Sequence, residues 1–218
     1  MEDEDEKIVN LRGIAIITTF TISCIILYLQ TSSWANQWET YYNIMNETFA
    51  NAVVTLKIEF MKRNENTSHI YEIIPTLPEL CSINKHELEM LHKFAENNSI
   101  YAGSYEMKIQ DTVCKVYHGD VNNYWLDSIK HDTSYAPFYP VWILSAYALA
   151  LESKNLGAKQ IIDIGSGDGR IAYCAKVAGI QSYGIEIDEN LVSLEKKIVS
   201  STGIDFKPMR EDATQFDY

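Results

Sequence analysis

Three glycines at alternate positions, in the stretch "IIDIGSGDGRIAYCAKVAG", place the strongest constraint on how this chain can fold. The loop joins a short apolar run typical of a strand to a segment whose apolar residues recur at helical spacing. Gly165, Gly167 and Gly169 offer positions without a side chain, so the backbone can turn sharply and approach a ligand closely. The helix that follows presents free N–H groups and a positive partial charge. The sequence therefore predicts a strand–loop–helix unit with a ligand at its loop.

The same alternation of strand and helix continues to the end of the chain. "SYGIEI" predicts a second strand, "DENLVSLEKKIVSSTG" a second helix capped by Asp188, and "IDFKPM" a third strand. The inward-facing residues are predicted to be Ile171, Cys174, Ala175 and Ala178 in the first helix, and Leu191, Leu194 and Ile198 in the second. A βαβαβ order predicts the α/β class with a parallel sheet.

The spacing within the loop discriminates between ligands. A dinucleotide fingerprint needs its third glycine three positions after the second, but Gly169 comes two after Gly167 and Arg170 occupies the later position. A phosphate-binding Gly-Lys-Ser/Thr sequence is absent. Asp163 before the loop and Asp168 within it would repel phosphates and favour a cationic ligand. S-adenosylmethionine, which carries a sulfonium and an ammonium group and no phosphate, has this chemistry.

Three motifs in order carry a resemblance to a known family. "DIGSGDGR" resembles motif I of the class I, seven-strand S-adenosylmethionine-dependent methyltransferases, "GIEI" resembles the acid that ends their second strand, and "EDAT" resembles their adenine-contacting Asp-Ala. The resemblance implies an enzyme with the N-terminal part of a Rossmann-like parallel-sheet methyltransferase domain and S-adenosylmethionine as its cofactor. Since the chain reaches Tyr218 where a fourth strand should begin, we expect a fragment, or a sheet that another chain completes.

The resemblance also implies roles for the residues of the loop. Asp163 would lie near the methionine moiety of the cofactor. Gly165 and Gly167 would line that moiety, and Ser166 and Gly169 of the same loop are further expected cofactor-binding residues.

Beyond the loop, the resemblance implies contacts to the nucleoside. Glu186 would bond the ribose hydroxyls and Ile187 would pack on adenine, while Asp212 would accept from the adenine amino group beside the Ala213 N–H. The chemistry of Glu186 agrees, because a ribose diol is read at the carboxyl edge of a strand. The alternatives are a solvated strand end for Glu186 and an ordinary turn for "REDATQ". No catalytic residue can be named.

A closer likeness covers about residues 135 to 218. An N-terminal anchor, then "APFYP" and a helix, then the glycine loop, is similar to membrane-anchored protein-lysine methyltransferases that modify an ATP synthase subunit or the adenine nucleotide carrier in mitochondria. Histone-type lysine methyltransferases with a "DLGSG" loop are a neighbouring alternative. A protein substrate follows only by this analogy.

The N-terminal region predicts a membrane anchor. An acidic tail, 1–12, precedes an uncharged apolar segment, 13–29, which aromatic residues follow, as at membrane interfaces. The alternatives are a buried helix and a secretory signal cleaved after Ala35. Lys7 and Arg12 would place the N-terminus in the cytosol and export the rest. Because S-adenosylmethionine is made in the cytosol, we expect instead a single-pass membrane protein whose methyltransferase region is cytosolic.

The region 30–130 predicts a small membrane-proximal α+β module. "VVTLKIEF" alternates like a half-buried strand, and "NKHELEMLHKFAEN" reads as a helix capped by Asn84 with Glu87 completing a capping box. A hairpin is expected around Asp111 and Thr112. No catalytic constellation occurs there, so the region is interpreted as a spacer, with substrate docking as the alternative.

The segment 131–218 is the predicted partial methyltransferase domain. Its first part, 133–151, is uncharged, and a second membrane span there would return the C-terminus to the cytosol. We expect a packing helix instead, with Pro140 in its first turn and Gly157 as a left-handed cap.

Composition excludes some functions. A formal charge of −12 argues against nucleic acid as a partner, because phosphate neutralisation needs clustered cations. The four cysteines form no C-x-x-C pair, and His86 and His92 are six positions apart, so no metal site is predicted. Two rival functions stay open, a membrane-anchored binding or sensor module with an inactive half-domain and, less favoured, an NAD-type oxidoreductase.

Overall fold

The computed structural model describes residues 49–63, 70–78, 83–119 and 140–215. Thr48–Tyr218 forms one compact unit. The predicted tail and membrane segment, 1–12 and 13–29, lie outside the described residues. No helix in the described part of the chain is long and apolar enough to cross a membrane. The elements, in chain order, are α1 Phe49–Met61, β1 Ile70–Pro75, α2 Lys85–Asn97, β2 Tyr101–Ile109, β3 Thr112–Gly119, α3 Ile143–Asn155, β4 Gln160–Ile164, α4 Arg170–Val177, β5 Gln181–Glu186, α5 Glu189–Thr202 and β6 Lys207–Arg210.

The C-terminal half has the predicted alternation and forms a parallel sheet of order β4-β5-β6. Asp163 pairs in register with Gly184, and Glu186 pairs with Arg210. The mixed α/β class with a parallel sheet is therefore confirmed. Because parallel strands end at one edge, the residues after β4, β5 and β6 are brought together there.

Local capping in this half follows the sequence. The Asp188 side chain accepts from the Asn190 and Leu191 N–H groups at the start of α5. Gly157, at a φ of 85°, follows the end of α3 in the left-handed conformation, as predicted. Of the predicted inward residues, Cys174 and Ala175 of α4 and Ala178 at its C-cap are buried, whereas Ile171 is half-buried.

The preceding region contains an antiparallel sheet of order β1-β3-β2 with α2 packed on it. The predicted hairpin is confirmed, with Gln110 and Asp111 as the turn between β2 and β3. Helix α2 begins as predicted, since the Asn84 side chain accepts from the Glu87 N–H at 2.9 Å.

The predicted strand "VVTLKIEF" is wrong: it lies within the helix α1. Both periods are present in the sequence, but the buried side chains are Phe49, Val53, Leu56 and Phe60, at spacings of four, three and four. Val54 and Ile58, which the strand pattern would have buried, are 53% and 49% exposed. Packing decides the outcome, because the Phe60 ring lies 6.1 Å from that of Trp142.

Helix α3 begins at Ile143, three residues later than the predicted start at Pro140. Trp142, at the cap position, makes no side-chain capping bond. The free N–H of Ile143 donates instead to Glu72 Oε2 of β1 at 2.8 Å. A carboxylate from another part of the chain thus caps this helix, which local sequence signals could not show.

Within the described residues, one hydrophobic cluster joins both sheets and all five helices. The Tyr173 ring of α4, for example, packs against the Phe94 ring of α2 with 4.9 Å between centroids, and its hydroxyl donates to the Met90 carbonyl at 2.8 Å. The antiparallel sheet therefore shares its core with the parallel one.

Candidate functional site

The carboxyl edge of the parallel sheet brings together the residues that the sequence singled out. Asp163 lies near the end of β4, Glu186 ends β5, and Asp212 follows β6 by two residues. The Glu211 N–H donates to the Glu186 carbonyl at 3.1 Å, which extends the contact between the last two strands. This edge, with the loop between β4 and α4, is the candidate site.

Gly165 is the loop residue that faces open space. Its φ is 71°, and a methyl group built on it would meet no atom within 4 Å. Its N–H donates to the Ile185 carbonyl at 2.8 Å, which fixes the turn against β5. Any other residue here would take a strained backbone and fill the space beside the loop. A ligand can therefore approach this backbone closely.

Gly169 and Ser166 face the interior instead. A methyl group on Gly169, whose φ is 77°, would lie 2.7 Å from Phe206 Cζ. The Ser166 side chain is 5% exposed, and its Oγ lies 2.8 Å from where a methyl group on Gly184 would be. These two loop residues pack the loop on α5 and β5.

Glu186 is tied to the backbone around it. Its Oε2 accepts from Gly167 N–H at 2.9 Å, and its Oε1 accepts from Ile187 and Asp188 at 2.8 and 3.0 Å. The side chain is 8% exposed, so it is not the solvated strand end considered as the alternative. A carboxylate offers about four lone-pair positions, so Oε2 can accept one further hydrogen bond.

Asp163 is a half-buried carboxyl with a perturbed titration. Burial raises its pKa to about 6, and the neighbouring carboxylates of Asp168 and Glu186 add to the rise. A cation bound beside it would stabilise its charged form. The site is therefore suited to a positively charged group and unfavourable to a pyrophosphate.

The expectation that Asp168 faces a ligand is wrong. Its side chain is fully buried, and Asn98 donates to its Oδ2 at 2.8 Å. Arg170 donates from Nε to its Oδ1 at 2.9 Å and from Nη2 to its Oδ2. Because the Arg170 guanidinium already neutralises its charge, Asp168 stabilises the loop from the protein interior and does not face a ligand.

Arg170 is the centre of a buried polar network that the sequence did not indicate. Its Nη1 donates to Glu72 Oε2 at 3.2 Å and to the Val141 carbonyl, and its Nη2 donates to Tyr101 Oη at 3.2 Å. Burial raises the pKa of Glu72 to about 7, although Arg170 opposes the rise. The partners are 29 to 98 positions away along the chain, so no local spacing could have revealed them.

Glu195 of α5 lies beneath the loop and was also missed. Its side chain is fully buried, and neither carboxyl oxygen has a well-formed hydrogen bond among the described residues. Burial raises its pKa to about 8, and the nearby Ser166 hydroxyl opposes part of that rise. It is therefore expected to be largely protonated at neutral pH.

The residues expected to contact adenine lie at the rim. Ile187 is half-buried after β5. Asp212 is partly exposed, and its Oδ1 accepts from Thr214 N–H and Oγ1 at 2.9 and 2.8 Å, so these bonds lower its pKa. Ala213 follows at the same edge. Asp212 thus forms a turn, which leaves its Oδ2 without a bond to Thr214.

No family model and no curated protein matches this chain. Among solved structures, it is similar to PH1948 from Pyrococcus horikoshii, provisionally an RNA methyltransferase, at 22% identity and a TM-score of 0.31 over 35% of this chain and 38% of that one. TehB from Haemophilus influenzae is 16% identical, with a TM-score of 0.28 over 47% of this chain and 32% of that one. YjhP from E. coli is 21% identical, with a TM-score of 0.31 over 42% of this chain and 38% of that one. This chain thus spans less than two fifths of each of these structures. Likenesses this distant do not assign an activity.

Proposed function

We propose that this chain is a membrane-anchored S-adenosylmethionine-dependent methyltransferase that modifies a protein side chain, lysine by resemblance. The observation that carries the proposal is the pairing of an open glycine turn at Gly165 with a carboxylate, Glu186, at the end of the neighbouring parallel strand. This arrangement can hold a nucleoside by its ribose hydroxyls while a cationic group lies against the loop.

The chain's own residues fit this cofactor. Asp163 would face the positively charged end, Gly165 would allow close backbone contact, and the free lone pair of Glu186 Oε2 would accept from a ribose hydroxyl. Ile187 and Asp212 would border the adenine. When bound, the cofactor would supply an electrophilic methyl group, and the site would act by aligning an acceptor with it.

The main alternative is a membrane-anchored binding or sensor module whose half-domain is inactive. The three backbone hydrogen bonds of Glu186 favour it, because a purely structural carboxylate would make the same bonds. An NAD-type oxidoreductase is disfavoured by the spacing of the loop glycines and by the Asp163 carboxylate beside the loop, which would repel a pyrophosphate.

Calorimetric titration of the full chain separates these functions. We expect S-adenosylmethionine to bind in the micromolar range, and Asp163→Ala to abolish binding without unfolding the protein. Asp205→Ala, an exposed carboxylate at the opposite edge of the sheet, is the matched control. Absence of heat with a folded protein would favour the sensor module, and tighter binding of nicotinamide dinucleotide would favour the oxidoreductase.

Substrate and location need separate experiments. We expect labelled methyl groups to appear in the protein fraction, on lysine by mass spectrometry, and to be insensitive to nuclease. We also expect residues 160 to 218 to be protected from protease on intact cells. Digestion of that region from outside would overturn the cytosolic location.

A further inference from the structure

The amino edge of the parallel sheet, opposite the glycine loop, contains a cleft of about 510 Å³. Strands β4, β5 and β6 begin there, and the last turn of α4 closes one side. The cleft is lined by Lys159, Lys176, Gly179, Ile180, Gln181, Ser182, Asp205 and Lys207. We refer to it as the lysine cleft.

The lysine cleft is positively charged in an acidic chain. Its lining has three lysines against one aspartate, which leaves a formal charge of +2, whereas the whole chain carries −12. A further ammonium, that of Lys154, lies 3.8 Å from where a methyl group on Gly179 would be. Among the described residues, these lysines form none of the observed ion pairs.

Folding accounts for some of these lysines individually. Lys176 is in the last turn of α4, where a cation is favoured by the helix dipole, and Lys207 lies 5.6 Å from the centre of the Tyr183 ring. Neither contact requires Lys159 to line the same cleft, or the Lys154 ammonium to lie near Gly179 at its border. Like charges around a concave surface repel one another, and they concentrate an electric field that attracts anions.

We propose that the lysine cleft binds the phosphate group of a small organic phosphate monoester. A lysine ammonium is a compact charge that suits phosphate oxygens, and the dianion of a monoester matches the formal charge of the lining. The volume lies within the range of about 300–1,000 Å³ usual for small-molecule sites. A nucleic acid would need a more extended basic surface than this acidic chain offers. Because the cleft is at the opposite edge, its ligand does not compete for the glycine loop.

Calorimetry of the full chain with phenyl phosphate, inorganic phosphate and phenyl sulfate tests the proposal. We expect saturable one-site binding of phenyl phosphate at submillimolar concentration, with phosphate weaker and the singly charged sulfate at least tenfold weaker. Lys176→Gln and Lys207→Gln should each weaken phenyl phosphate binding about tenfold. Lys197→Gln, on the exposed face of α5, should change it less than twofold.

Several outcomes would overturn the proposal. These are no saturation up to 10 mM, equal weakening by the Lys197 control, or equal affinity for phosphate and sulfate esters. Competition with S-adenosylmethionine would place the anion at the glycine loop instead. Tighter binding of an oligonucleotide with the same dependence on Lys176 would replace a small ligand with a nucleic acid. Asp163→Ala distinguishes this proposal from the proposed function. Its effect on cofactor binding tests the proposed function alone, and phenyl phosphate binding at the lysine cleft should be unchanged in that variant.

Discussion

Arg170 and Glu72, 98 positions apart, form a buried ion pair with 3.2 Å between Nη1 and Oε2. Arg170 is the first residue of α4, directly after the glycine loop, and Glu72 belongs to β1 of the antiparallel sheet. The same guanidinium holds Asp168 within the loop. The candidate site is therefore supported by a part of the chain that its sequence motifs do not include.

Arg170→Met should strongly destabilise the protein at pH 8. The variant leaves Glu72 and Asp168 buried without a counter-ion, and removing one partner of a buried pair typically costs about 3–5 kcal/mol. Urea unfolding of the full chain measures the loss. The matched control is Arg210→Met, whose pair with Glu189 is exposed and should be worth at most about 1 kcal/mol. Similar stability of the two variants would show that the network contributes little.

Glu72→Gln should change the pH dependence of stability. The folded pKa of Glu72, about 7, lies above its ordinary value of 4.5, so its protonated form is favoured by folding. That stability is present below pH 4.5 and is lost as the pH rises through 7. Relative to wild type, the variant should therefore gain up to about 3 kcal/mol in unfolding free energy between pH 4.5 and pH 8.

Unfolding curves of both proteins at several pH values give this difference. Asp163 and Glu195 also have raised pKa values, but both proteins contain them, so their contributions cancel to first order. A constant difference across the range would mean that Glu72 does not titrate near neutrality.

The sequence predicts the parallel half well because its signals are local. The cap at Asp188, the left-handed Gly157 and the apolar faces of α4 and α5 each depend on neighbours within a few residues. For the same reason the alternation of strands and helices is sufficient to place Asp163 and Glu186 at one edge of the sheet.

The sequence predictions fail where contacts between residues far apart along the chain determine the structure. Helix α1 has both a strand and a helix period, and rings such as Trp142 select the helical one by packing. Asp168 looked like a ligand-facing anion because its partners Asn98 and Arg170, and through Arg170 the carboxylate of Glu72, are assembled only in the folded chain. The order of charged residues along the sequence could not show that the Asp168 carboxylate is neutralised by the buried Arg170 guanidinium.

Alanine at Gly169 and at Gly165 should have different consequences. At Gly169 a methyl group would lie 2.7 Å from Phe206 Cζ and 3.0 Å from Glu195 Cγ, so overpacking and left-handed strain together should cost on the order of 2–4 kcal/mol. At Gly165 only the strain applies, at about 1–2 kcal/mol, but the methyl group projects into the open space beside the loop.

Under the proposed function, Gly165→Ala should therefore weaken S-adenosylmethionine binding at least tenfold while the protein stays folded. Thermal unfolding and calorimetry on the same preparations measure the two effects. Unchanged cofactor affinity in Gly165→Ala would show that the cofactor does not bind against this turn. A stable Gly169→Ala variant would contradict the close packing of the loop on α5.

Affinity for S-adenosylmethionine should fall in acid because Asp163 is protonated there. Its pKa is raised to about 6 by burial and by the carboxylates of Asp168 and Glu186, and only the ionised form attracts the sulfonium. Binding should weaken about tenfold between pH 7.5 and pH 5, as expected for a single group that titrates near 6.

Calorimetry of wild type against Asp163→Asn isolates this group, because Glu72 and Glu195 titrate in both proteins. The variant should bind weakly at every pH with a flatter profile, and S-adenosylhomocysteine, which lacks the sulfonium charge, should show a shallower dependence on wild type. An identical pH dependence of affinity in wild type and variant would show that Asp163 does not lie near the bound cation.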